Sequence, residues 1–386
     1  MASGSGTEVI VIGGGIIGAC VAHALVEAGA RVTVVVDGWP GRGTSAASLA
    51  WVNAANKTPE AYNRLNAAGM PAYAELRGRL GPECGVHLDG AFNWVEAEDQ
   101  RDELRERYER LRGWDYPVEW VTPEQVMRDL APELRLEPET VQELLHMPTE
   151  GWIDAPLLIG ALLEQVRRRG GAVRCGARVR QVRREAGRAV GVLTDAGESV
   201  SADWVINCAG PDAERVAASA GVRLPMARVP GMLLVTDRAP LGLRQVVHAP
   251  SRSFRPDGGG RVAILTDWAP PGSADEERPA PSLPPPPRTD AVLAEVARWL
   301  PALATARVEA ARLGVRPMPL DGYPMVGPHP ELPGFYVVVT HSGITLGPVL
   351  GPMVAAEVMT GRPEPLLAPY RPDRFLMGLM TPSATR

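Results

Sequence analysis

The first apolar stretch of the chain is unbroken: Val9-Ile-Val-Ile12, closed by Gly13-Gly14-Gly15. Without polar alternation, it predicts a strand buried on both faces. Ile16–Ala28 mixes large apolar residues with Ala19, Cys20, Ala22 and Ala24 and stops at Gly29, the pattern of a helix with a glycine C-cap. Arg31–Val36 is β-branched again. Strand, helix and strand in that order predict a parallel pair joined by a crossover.

Downstream, Thr58–Leu80 reads as an amphipathic helix and Gly85–Val95 as a strand pair. Glu96–Leu111 reads as a charged surface helix, with Glu and Arg at helical spacings. Thr122-Pro-Glu-Gln125 has the form of a capping box, and Asp154 stands as cap of a helix to Arg169. Strands are expected at Ala172–Val182, Val190–Thr194 and Trp204–Cys208, and antiparallel ones at Arg223–Thr236 and Arg261–Trp268. Thr289–Leu300 predicts a helix, Tyr336–Thr340 a strand and Leu346–Thr360 a further helix. Between Ala269 and Arg288 the chain is rich in proline, with Pro284–Pro287 in a row, and is expected to be an irregular surface excursion.

At 386 residues the chain is long enough for two domains. The formal charge is −5 and no basic block stands out, which argues against a nucleic-acid partner. Neither a signal peptide nor a transmembrane segment of about 20 apolar residues is evident, so a cytoplasmic location is expected. Cys20, Cys84, Cys175 and Cys208 form no C-x-x-C pair, so no metal is expected. Cys20 and Cys208 read as buried thiols. Lys57 is the only lysine, so no mechanism can call on a lysine elsewhere.

Gly13-x-Gly15-x-x-Gly18 sits between a predicted strand and helix, the context in which this spacing binds a dinucleotide. Gly13 permits the turn, Gly15 lets the backbone approach a pyrophosphate, and Gly18 lets helix pack on strand. The helix start, from Ile16, supplies N–H groups and partial positive charge. Asp37, just past the second strand, is the candidate acid for the ribose hydroxyls and argues against a 2′-phosphate; Arg42, close by, argues the other way. Gly176–Arg180, Val205–Gly210 and the strand-to-helix turn Thr340-His-Ser-Gly-Ile-Thr345 are positioned late in the chain. Widely separated segments converging on one large cofactor favour FAD over a nicotinamide.

Taken together, these residues resemble the D-amino-acid oxidase/glycine oxidase (DAO) family of FAD-dependent oxidoreductases over almost the whole chain. The resemblance is carried by Val9–Gly18, Gly43–Ser48, Ile206–Gly210, Gly314-Val-Arg-Pro317 with Asp321–Gly327, and Thr340–Pro348. It implies an α/β (α+β overall) fold. A Rossmann-type FAD-binding domain in discontinuous pieces, 1–80, 150–220 and 315–386, would pair with an antiparallel-sheet substrate domain, 81–149 and 221–314. The resemblance also implies that Thr44, Ser45, Ala47, Ser48 and Leu49 wrap the pyrophosphate and flavin edge, that Val179 meets adenine through its backbone, and that Ala209 and Gly210 close over the nucleotide. Gly343, Ile344 and Thr345 would meet the isoalloxazine ring. Arg316 would hold a substrate carboxylate beside the flavin, unless it pairs with an acid such as Asp321. His341 would orient substrate or tune the flavin, and Trp51, Asn53 and Tyr323 are further pocket candidates. His23, His87 and His146 read as structural.

Three departures from the family pattern carry information. Val36 stands where the family usually has its ribose acid, and Asp37 follows one residue late. No Cys lies between Leu313 and Gly327 and no His between Gly38 and Asn56, so the FAD is expected to be non-covalent. The later half holds no lysine of the kind sarcosine-oxidising relatives use with O2, which favours a dehydrogenase with another electron acceptor. The expected reaction is oxidation of a small amine or amino acid to the imine by hydride transfer to flavin N5. The alternatives are a tailoring oxidase acting on a larger amine, a subunit of an amino-acid dehydrogenase complex, and NAD-dependent reduction. An oligomer is compatible with the sequence.

Overall fold

A computed structural model of the chain describes residues 6–266, 268–270 and 283–375. The chain divides into two compact units, 1–46 with 155–229 and 315–386, and 47–154 with 230–314. Residues 47–80 group with the second unit.

The first unit is built on a six-stranded sheet in the order Met325–Pro328, Phe335–Val339, Trp204–Asn207, Glu8–Ile12, Arg31–Val36, Ala172–Cys175. All neighbours are parallel except the Met325–Pro328 edge strand. Val9, Ile10, Val11 and Ile12 are all buried, because helices and a small sheet cover the two faces. One face packs Ile10, Ile12, Val205 and Val337 against Val182, Val192 and Val216. The other carries the helix Ile16–Glu27, which packs against Ala155–Arg168 and Gly343–Thr360.

That last contact is a seam of glycines. A Cβ on Gly347 would stand 3.1 Å from Cys20 Sγ, and one on Gly351 only 2.6 Å from the Cys20 carbonyl oxygen. Glycine every fourth residue therefore brings two backbones together along one stripe. By length and composition Gly343–Thr360 would suffice to cross a membrane, but 61% of it is buried inside the protein. Cys20 and Cys208 are both buried, and burial raises both thiols well above their ordinary range.

The second unit carries an eight-stranded sheet, ordered Val308–Pro319, Met226–Thr236, Val262–Thr266, Ser253–Pro256, Val246–His248, Ala91–Asn93, Leu144–Met147, Glu119–Val121. Strand alternation divides its two faces. Phe92, Leu144, Val247, Phe254 and Ile264 point to one side and form a core with Val292, Val296 and Trp299 of the helix Pro286–Trp299. Asn93, Leu145 and His248, paired in one row across three strands, point to the other.

Several elements depart from the sequence reading. Thr58–Leu80 is two helices, Glu60–Ala67 and Gly69–Leu80; Pro71 has no N–H to offer Ala67, so the ladder breaks there. Gly85–Val95 is not a hairpin. Val86–His87 pairs with Gly151–Ile153, while Ala91–Asn93 joins the large sheet, and Gly90 at φ 93° turns the chain between them. Ala172–Val182 breaks at Gly176, φ 68°, into strands of two different sheets. The capping box forms in full, with Thr122 N–H donating to Gln125 Oε1 and Gln125 N–H donating to Thr122 Oγ1. Most of the proline-rich segment 269–288 lies outside the described residues, although Pro286 and Pro287 open a helix, where a missing N–H costs nothing.

Candidate active site

In the first unit the strand–turn–helix at Gly13–Gly18 forms one wall of a cavity of about 170 Å³. Gly13, at φ 111°, lies so close to the Cys208 carbonyl that a Cβ would come within 2.4 Å of its oxygen. A Cβ on Gly18 would stand 2.0 Å from the Gly13 carbonyl oxygen, so this glycine seats the helix on the strand. Gly15 is different: a Cβ would meet only Ser45 Oγ, at 3.3 Å. No side chain of Gly15, the N-cap residue, covers the helix start and no acid stands in its first turn, which leaves an end suited to an anion. Ser45 Oγ accepts from Ile16 N–H at 3.1 Å and Thr44 Oγ1 donates to the Val315 carbonyl at 2.6 Å, fixing the following loop.

Of the residues singled out from the sequence, Gly13, Gly15, Asp37, Thr44, Ser45, Val179, Ala209 and Gly210 all line this cavity. Asp37 stands 3.6 Å from Arg178 Nε. The Val179 carbonyl accepts from Arg215 Nη1 at 3.1 Å. Ile16 is buried behind the turn. Arg42 is exposed and is not among the lining residues. Gly343, Ile344 and Thr345 open the late helix, which therefore starts at Gly343, three residues earlier than expected. His341 and Arg316 are both exposed. Asp321 is held by Arg374, at 2.7 and 3.0 Å, and Tyr323 N–H donates to the same carboxylate.

Ala47, Ser48, Leu49, Trp51 and Asn53 belong to the second unit. There Trp51 and the backbone after it are organised by Glu150, which pattern reading missed. This fully buried carboxylate accepts from Trp51 Nε1 at 2.8 Å, from the Ala54 and Ala55 amides at 3.1 and 3.0 Å, and from Tyr116 Oη at 2.5 Å. Burial pushes the Glu150 carboxyl up to about 7, with the four donors opposing. Burial lowers Lys57 to about 8, and the negative charge of Glu150 opposes that fall. Asn53 donates to the Trp51 carbonyl at 3.2 Å. His248 packs against Trp51 with ring centroids 3.9 Å apart and planes tilted by 44°, and burial holds its imidazole neutral, at about 3. His87 stacks on Trp152, and His146 pairs with Glu119 at 2.7 Å.

These shifts set a pH dependence. A carboxyl raised from 4.5 to about 7 on folding binds its proton more tightly in the native state, so its contribution to stability is full below pH 4.5 and declines as pH rises to 7. At about 1.4 kcal/mol per pH unit the interval is worth ~3 kcal/mol. Lys57, lowered from 10.5 to about 8, acts in the opposite sense above pH 8. Urea unfolding of wild type and Glu150→Gln at pH 5 and pH 7.5 checks this. The wild type is expected to lose more stability over the interval than the variant; equal losses would refute the assignment.

The comparisons with known proteins agree along the full chain. A family model described as FAD dependent oxidoreductase (DAO) matches residues 8–357. The glycine oxidase of Geobacillus kaustophilus is 29% identical over 378 residues, covering 96% of this chain and 97% of that protein. The crystal structure of glycine oxidase from that organism matches with a TM-score of 0.80 and 25% identity, over 95% of this chain and 98% of that one. The structure of iminodiacetate oxidase from Chelativorans sp. BNC1 matches with a TM-score of 0.78 and 26% identity, over 94% and 98%.

Proposed function

Because the chain belongs to the DAO family of FAD-dependent oxidoreductases, we propose that it oxidises a small amino acid or related secondary amine, with the cavity of the first unit holding the nucleotide end of FAD. The observation that carries this reading is the cavity itself, where a glycine turn, a helix start with no acid in its first turn and an acid on the neighbouring strand end come together in a chain that matches glycine oxidase over 96% of its length. The residues fit the group. Gly13 lets the turn lie against the Cys208 backbone, Gly15 keeps a Cβ out of the path of a pyrophosphate, the helix start favours its charge, and Asp37 offers a carboxylate to ribose hydroxyls. When bound, FAD supplies two-electron oxidation, accepting the hydride that leaves the amine's α carbon.

The chain's own work is positioning and electrostatics. Gly343, Ile344 and Thr345 open an eighteen-residue helix, and their amides are the proposed stabilisers of negative charge on the ring. Arg316 is the proposed partner of the substrate α-carboxylate; its guanidinium fork matches two carboxylate oxygens. Asp321, the acid nearest in sequence, is paired with Arg374. Because Lys57 is the only lysine, an acceptor other than O2 is the proposed partner of the reduced enzyme.

The purified protein is expected to be yellow. Under anaerobic conditions, its visible bands are expected to bleach with one class among D-amino acids, L-amino acids and N-substituted glycines. Slow recolouring in air would support the dehydrogenase reading, and fast recolouring would overturn it. A yellow protein that no amine bleaches would remove the proposed substrate class.

A further inference from the structure

The polar face of the eight-stranded sheet holds a cavity that the function above does not use. Its floor is the cross-strand row His248, Asn93 and Leu145, with Met147 beside them, and its inner chamber, about 60 Å³, is closed by Trp51 and Arg107. An outer chamber of about 150 Å³ shares Asn93 and Arg107 with the inner one. The guanidinium therefore stands at the boundary of the two, with Nη1 donating to Asn93 Oδ1 at 2.7 Å. Asn93 is itself held, its Nδ2 donating to the His248 carbonyl at 3.1 Å.

Two acids act on this charge, Glu103 from the surface and the buried Glu150 from within. Among the described residues, the one acid in ion-pair range of Arg107 is Glu103, at 3.6 Å and with its own side chain 77% exposed, whereas the Arg107 side chain is 24% exposed. The next polar group, His248, is a neutral imidazole whose buried Nε2 has no hydrogen-bond partner. Asn56 completes a lining with amide donors and an aromatic wall but no acid. A half-buried guanidinium whose Nη1 meets an amide and whose Nη2 faces an exposed acid keeps further N–H donors for an incoming carboxylate, whose planar pair of oxygens can take two of them at once.

We propose that this cavity is a carboxylate-binding site centred on Arg107.

Calorimetric titration of the yellow holoprotein with glutarate, against glutaramide as an uncharged control, tests the site. Glutarate is expected to bind and glutaramide not, with Arg107→Met weakening glutarate at least tenfold and Arg107→Lys recovering part of the loss. Thermal melting checks that each variant is folded. The lysine variant keeps the test available should the methionine variant not fold. No glutarate binding by wild type, or equal affinity in wild type and Arg107→Met, overturns the proposal.

Discussion

Gly18→Ala is expected to purify colourless, whereas Gly15→Ala is expected to fold as well as wild type and hold FAD more weakly. The two substitutions add the same methyl group within one helical turn, and the structure separates their effects. At Gly18 the new carbon would lie 2.0 Å from the Gly13 carbonyl oxygen, a backbone atom that cannot turn aside. Helix and strand must then part, and overpacking of this kind costs up to about 3 kcal/mol, which equals ~100-fold in affinity if it falls wholly on the cofactor. At Gly15 the new carbon meets only a serine hydroxyl at 3.3 Å, so the protein alone tolerates it. What it obstructs is the approach of a phosphate. Thermal melting of the FAD-stripped proteins and FAD titration of each distinguish the cases. A Gly15→Ala variant with unchanged FAD affinity would mean that the pyrophosphate does not pass this turn.

The second large effect is expected at Glu150. Glu150→Ala leaves the Trp51 indole N–H, two backbone amides and the Tyr116 hydroxyl without their acceptor, and Lys57 without its nearby carboxylate. Removing one partner from a buried charged network costs about 3–5 kcal/mol. Glu150→Gln retains one acceptor oxygen and is expected to cost less, ~1–3 kcal/mol. Because Trp51 is anchored by this carboxylate and packs against His248, the alanine variant is also expected to shift tryptophan emission. An alanine variant as stable as wild type in urea would show that solvent reaches the network.

Much of the first unit is legible in the sequence for a physical reason. A strand buried on both faces must be continuously apolar, and a helix packed against it needs glycine at the contact, so Val9–Gly18 announces its environment locally. The Thr122 capping box is likewise a matter of four adjacent residues. The second unit hides its chemistry. Arg107 lies in a helix, Arg101–Gly113, whose charges recur at helical spacings, and nothing local marks it as the guanidinium that lines the cavity. Asn93 and His248 are 155 positions apart and become neighbours only through strand register. Glu150 follows a turn between two short strands, where an acid ordinarily faces water. Its importance comes from Trp51, Ala54, Ala55 and Tyr116 closing round it, and four donors drawn from distant positions leave no spacing to read. Strand breaks at Gly90 and Gly176 were missed because a glycine in an extended stretch fits a bulge as well as a turn.

The order of strands in the parallel sheet has a consequence for how the molecule comes into being. Glu8–Ile12 is made first, yet one of its two neighbours is Trp204–Asn207, and that strand's other neighbour is Phe335–Val339. The opening strand therefore waits for just over half of the polypeptide before its second edge is covered, and the glycine-lined helix that packs on Ile16–Glu27 begins only at residue 343. Contacts of such long sequence separation must meet the entropy of loop closure before any burial rewards them. The first unit cannot mature during synthesis, whereas 47–154 of the second is a continuous stretch available much earlier. Pairings of this separation are expected to slow folding of the first unit, and an apolar strand that lacks its neighbour in the interval is a site for aggregation.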